Sequence, residues 1–112
     1  METIASYDHN GSTTIANGAT VSAAVSCPGF TRGAFLIPTG WSGGASVSFQ
    51  VADAIDGTFA ALYDSANALV SQNVTQTRWY AFPDAVLKAR AFKIVAVGAT
   101  GANETILYVL KG

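Results

Sequence analysis

The side chains that could do chemistry are few. His9 is the single imidazole of the chain, and it stands in the amino-terminal stretch "SYDHNGSTT". A nucleophilic or acid–base enzyme needs a nucleophile, a base within hydrogen-bond reach and a group that orients the base. No serine has the G-x-S-x-G context, so His9 reads as an ordinary exposed histidine and no catalytic residue is expected. Asp53, Asp56 and Asp64 invite a carboxylate pair or a calcium loop, but "DAIDG" lacks the D-x-D-x-D-G spacing that gathers several oxygens on one ion. They read as solvated turn formers, with Asp56-Gly57 supplying a positive φ between two strands. Neither a metal nor a cofactor is expected. The glycines of "TGWSGGAS" match no phosphate-cradling motif, lacking the lysine. Gly40, Gly43 and Gly44 read as a loop that reverses the chain, and Trp41 within it either caps the core or stands out as a binding anchor. One cysteine, Cys27, leaves no internal disulfide and reads as a small buried hydrophobe.

The elements around these residues read as strands. Short β-type runs recur between Gly, Asn, Asp and Pro: 13–16, 20–27, 33–38, 46–52, 58–64, 68–74, 78–82, 91–97 and 104–110. In "SVSFQVA" Val47, Phe49 and Val51 alternate with Ser46, Ser48 and Gln50, the pattern of a half-buried antiparallel strand. In "ETILYVLKG" Ile106, Tyr108 and Leu110 form one face, and Leu107 and Val109 make the other nearly as apolar. That strand is expected in mid-sheet or under a partner. Phe59, Leu62, Tyr63, Ala66, Leu69 and Val70 also fit an amphipathic helix, but the turn-forming "DSAN" inside that run favours strand, turn, strand. "PDAVLKAR" (83–90) is expected to give one helical turn. The fold class is therefore all-β, an antiparallel β-sandwich, with residues 1–12 as an arm or extended segment and 13–112 as one domain.

Composition bounds the partners. Of the 112 residues, 50% are hydrophobic and only 12% charged, with a net charge of −1. This is about half the ~25% of charged residues usual in soluble domains, and such a surface favours association with other protein. Six Lys and Arg against seven Asp and Glu give no footprint for nucleic acid. Arg78, Lys88, Arg90 and Lys93, interleaved with Trp79, Tyr80 and Phe92, read as a solvated rim. "METIASYDHNGSTT" has neither the basic nor the apolar region of a secretory signal, and no apolar run approaches the ~18 residues of a membrane span. A soluble protein made in a cytoplasm, with no membrane partner, is expected.

The succession "FLIPTGW", "SVSFQVA", "DGTFAALYDSAN" and "FPDAVLKARAFKIVAVG" resembles a class of small tailed-bacteriophage virion proteins. Their pattern runs from an I-P-x-G-W loop to an "FQV" strand, a D-G turn with "LYD", and a late "x-F-K-I" strand. The resemblance implies a jelly-roll sandwich of about eight strands that acts as a capsid decoration, or cement, protein. It would be made in the host bacterial cytoplasm and reside on the capsid surface. The implied partner is the major capsid protein, whose subunits it would bridge, and the implied state a homo-oligomer, dimer or trimer. Contacts are expected from aromatic and Arg residues outside the regular core: Tyr7, Phe30, Arg32, Trp41, Trp79 and Tyr80. The rival readings are a carbohydrate-binding sandwich with a stripe of exposed aromatics, and a virion protein of the tail or head–tail junction.

Overall fold

The structure is a computed structural model that describes residues 8–112. Nine strands are found among them: β1 (Asp8–Ile15), β2 (Val25–Ser26), β3 (Arg32–Ile37), β4 (Ser46–Ala52), β5 (Ala60–Ala61), β6 (Ser71–Asn73), β7 (Arg78–Ala81), β8 (Ala91–Ala96) and β9 (Glu104–Lys111). A single 3-10 turn, Val86–Lys88, occupies the segment expected to be one helical turn. The strands pair antiparallel in two sheets, ordered β1-β9-β3-β7 in the first and β2-β8-β4-β5 in the second, with β6 also on β4. The chain winds back and forth between the sheets as in a jelly roll. β9 lies between β1 and β3, the mid-sheet place that its two apolar faces predict.

Alternation fills the space between the sheets. Phe35 and Ile37 of β3, and Ile106 and Leu110 of β9, meet Val47 and Phe49 of β4 and Phe92 and Ile94 of β8, all without exposure to solvent. Phe35 is the aromatic hub, its ring centroid 6.0 Å from Phe49, 5.9 Å from Tyr80 and 4.9 Å from Phe82. Phe82 continues to Phe92 at 5.0 Å, so one run of rings joins both sheets.

Three local expectations need correction. The edge of the second sheet is split: along β4, Gln50 faces Ala61 but Ser48 faces Ser71. A step of two positions along β4 thus matches a step of ten on the partner, and residues between 61 and 71 loop out as a hairpin closed by the bridge Tyr63↔Leu69. Asp64 holds its tip, its Oδ1 accepting from Ala66 N–H at 2.9 Å and Ala68 N–H at 3.0 Å. That turn, with Asn67 at φ 61°, is why 59–70 is no helix. In 20–27 only Val25 and Ser26 form a strand. Upstream, Ser22 N–H donates to Ile94 O, whereas Ala23 N–H donates to Thr14 O on the other sheet. The segment is therefore a corner between sheets. Ser22 Oγ completes the junction by accepting Ile94 N–H at 2.9 Å. Finally, positive φ occurs at Gly18, Gly29, Gly40 and Gly44 and not at Gly57. Gly57 closes a turn by donating to Ala54 O at 3.0 Å. A side chain there would begin 3.2 Å from the backbone oxygen of Ala54, a tight approach that favours glycine.

From Asp8 onward the segment expected as arm or extended chain is extended, paired along its length with β9. Cys27 is fully buried, with its thiol 3.4 Å from Ala89 O, and burial pushes its pKa up to about 11. The thiolate is the reactive form, so native protein at pH 8 should resist a thiol reagent and react only on unfolding. An unfolded cysteine ionises near pH 8.5. Cys27 is neutral in both states below that value and ionises first in the unfolded chain above it. Its contribution therefore leaves stability unchanged at low pH and lowers it as pH rises from about 9 toward 11. Thermal melts of wild type and Cys27→Ala across that range check the sign.

Candidate functional site

The two sheets differ on their outer faces. An antiparallel sheet with one solvated face should be polar there, and the second sheet obeys along β4, although Val95 of β8 also faces Ser48 and Ala61 of β5 also faces Gln50. On β4 the outward residues are Ser46, Ser48 and Gln50, facing Asn73, Ser71 and Lys93 on the neighbouring strands. Even Lys93 is occupied, its Nζ 4.5 Å from the centroid of the Phe59 ring. The first sheet breaks the rule. With Phe35, Ile37, Ile106 and Leu110 turned inward, period-2 alternation puts Ala34 and Leu36 of β3, Leu107 and Val109 of β9, and Trp79 and Ala81 of β7 outside. Register lines them up in rows: Leu107, Leu36 and Trp79 in one, Val109, Ala34 and Ala81 in the next. Trp79 is 51% and Leu107 45% exposed.

A shallow groove of about 480 Å³ runs over this face, lined by Arg32, Gly33, Ala34, Trp79, Val109 and Lys111. Trp79 is aimed into it by the turn before β7. Thr77 sits there at φ 62°, a strained value for a β-branched residue. It is held by donation of its N–H to Ile37 O at 2.8 Å and a 2.7 Å hydroxyl contact with Thr39. The adjacent Tyr80 therefore points inward against Phe35, its hydroxyl accepting Thr75 N–H at 2.7 Å.

The residues singled out from the sequence are thus dispersed. Arg32 and Trp79 share the groove, whereas Tyr80 packs against the core. Phe30 packs at the core margin, 6.0 Å from the His9 ring. Tyr7 lies outside the described residues. Trp41 is half-buried: its indole N–H donates to Gly44 O at 2.8 Å, and its ring covers Gly43 so closely that any side chain at 43 would clash. Of the two alternatives for Trp41, the structure takes the capping one. Leu36, Leu107 and Val109 complete the face without having been singled out as contacts, although the doubly apolar pattern of "TILYVL" was the available signal.

One buried acid lies at the far end of β9. Glu104 is 4% exposed, and its Oε2 accepts from Ser42 Oγ at 2.6 Å and Ser42 N–H at 3.2 Å. Gly101 N–H in turn donates to Ser42 Oγ at 3.0 Å. This set ties the loop after β3 to the loop before β9. His9 stands opposite Leu110, six residues along β9 from Glu104. At ~3.4 Å per residue that is about 20 Å, beyond any relay to Ser42. No helix among the described residues is long and apolar enough to cross a membrane.

No known protein-family model matches the chain, and no curated protein sequence does. Among solved structures, the chain is similar to the SPBc2 prophage-derived protein YomS, with a TM-score of 0.57 and 16% identity, over 99% of this chain and 100% of that one. The two share a fold along their whole length.

Proposed function

We propose that this is a structural virion protein of a bacteriophage. In this reading it decorates the head, docking on the outside of the assembled shell and bridging major capsid subunits. The observation that carries the reading is the apolar outer face of the first sheet, whose rows Leu107, Leu36, Trp79 and Val109, Ala34, Ala81 cross three strands. A sheet apolar on both sides leaves Trp79, Leu36 and Leu107 in water unless another surface covers them. The fold shared with a prophage-derived protein, the low charge content and the resemblance across 33–97 supply the phage context. The mechanism is linkage: a ligand that binds the intact lattice and not its dissociated subunits stabilises the lattice by its binding free energy. Many copies on one shell, each bridging subunits, sum modest affinities. No catalytic step is assigned.

The test is to mix purified protein with heads that lack it and image them by electron microscopy. Regular density over the shell, and heads that survive heating better than bare ones, are the expected results. Density confined to the tail or its junction would move the protein there. Absence of any virion density together with saturable glycan binding would replace the reading with the carbohydrate-binding one. Against that rival, the exposed Trp79 ring makes no ring–ring contact among the described residues, and Trp41 is spent on its own loop.

A further inference from the structure

β1 stands at the edge of the first sheet, with β9 on one flank, and it pairs with β9 in unbroken register over all eight residues, Asp8–Ile15. The other edge strands, β2, β5, β6 and β7, run to only two to four residues. Proteins guard long edges with lysine, proline or a bulge, and "DHNGSTTI" has none of these. Successive residues of an antiparallel strand direct their backbone N–H and C=O to opposite flanks. Thr14 O, turned away from β9, accepts Ala23 N–H at the corner, so Ser12, Asn10 and Asp8 turn their donors and acceptors to that same flank. Among the described residues, those of Ser12 and Asn10 meet no partner. A second orphan lies beside them. Tyr108 is 8% exposed and crosses the strand at Gly11, its Oη 2.6 Å from the point where a side chain on Gly11 would begin. A buried phenol usually finds a hydrogen-bond partner, yet this one has none among the described residues.

We propose that β1 pairs with β1 of a second copy about a two-fold axis at Asn10, joining two first sheets into one. The free stretch is symmetric about that residue: the corner at Thr14 stops it on one side, and Asp8 and Ser12 lie equally far from Asn10. In antiparallel pairing Asn10 then meets Asn10, and Asp8 meets Ser12, each pair exchanging both backbone hydrogen bonds. No like charges come face to face. Backbone hydrogen bonds would admit any strand; the inward positions select this one. Register sets position 9 of the incoming strand opposite Gly11, where the Tyr108 hydroxyl lies. This chain carries His9 there, exposed in the single copy and able to accept from a phenol. The interface is isologous, so it closes at the dimer. Because the dyad of an antiparallel pair stands perpendicular to the sheet, both apolar outer faces lie on one side. The dimer presents them as a bivalent surface, but the pairing itself does not depend on the decoration reading.

Sedimentation equilibrium of the purified full chain should give twice the 11.5 kDa of one chain. The amides of Asn10 and Ser12 should exchange slowly in deuterated water, as those of Gly11 and Thr13 do within the β1–β9 ladder. Asn10→Lys and Asn10→Asp each set like charges opposite at the dyad, and each alone should weaken self-association about fivefold or more. Mixed together they should pair as well as wild type or better, because Lys then faces Asp, a rescue that a merely structural role would not give. Ser12→Pro removes a donor that β9 does not use and should abolish the dimer. Circular dichroism spectra unchanged in the variants separate lost pairing from lost folding. A wild type that stays monomeric at every concentration, or equal affinity in Asn10→Lys, Asn10→Asp and their mixture, overturns the inference. So does a dimer that survives these changes and is abolished by Trp79→Ala, which puts the second copy on the apolar face instead. None of these measurements involves heads, so their failure and that of the decoration reading are distinguishable.

Discussion

Trp79→Ala should abolish attachment to heads at concentrations that saturate wild type, while the isolated domain stays folded. Tryptophans at the centre of a docking face act as hot spots worth about 2–4 kcal/mol, a loss of roughly 30- to 1,000-fold in affinity. The cost to the fold is smaller. Trp79 is already half in water and leans on Leu36 across the sheet, a cross-strand pair worth about 1 kcal/mol or less. Sedimentation of heads with bound protein measures the first effect and urea denaturation the second. Trp41→Ala should show the reverse. It removes a ring that covers Gly43 and an indole donor to Gly44 O, so stability falls, while binding measured on the folded fraction is retained. A Trp79→Ala protein that binds heads normally, beside a folded Trp41→Ala protein that does not, would relocate the contact to the glycine loop.

The largest effect on stability is expected for Phe35→Ala. Phe35 has no exposure and touches rings from both sheets, so little can collapse into the space left behind. Large-to-small changes of this kind cost about 3–5 kcal/mol, a large part of the 5–15 kcal/mol typical of a domain. The melting temperature should drop by more than about 10 °C, read by circular dichroism. Phe35→Leu keeps most of the volume and should cost clearly less. A near-neutral Phe35→Ala would mean that the run Phe35, Phe82, Phe92 is not the support of the sandwich. Phe35 of β3 points inward and Trp79 of the paired β7 points outward, so the two experiments test the two faces of one sheet.

How far the fold was legible depended on the range of the interactions involved. "SVSFQVA" gives β4 to the residue, Ser46–Ala52, because alternation of side chains across a strand is a local property of the backbone. β9 announced both its apolar faces and its mid-sheet place for the same reason. The split edge strand was not legible. The Asp64 turn is local, but which residues loop out depends on where 60–61 and 71–73 meet β4. The corner at Ser22 was hidden more deeply, since its hydroxyl serves Ile94, 72 residues away. A run such as "TVSAAVSC" looks like a strand whether its hydrogen bonds go to one sheet or two.

The candidate site shows the same division. The residue types of the apolar outer face and an all-β chain short of charge are properties of the sequence itself. That adjacent Trp79 and Tyr80 point to opposite sides of their strand is equally local. The pairing Phe35↔Tyr80 decides which of them faces the core. The path of one loop decides that Trp41 lies on its own glycines while Trp79 meets solvent. The opposition of Arg32 and Lys111, 79 positions apart in the chain, is likewise a product of register. Alternation is set within a few residues of backbone, whereas register is set by the burial of every inward side chain at once, and only the folded sandwich fixes it.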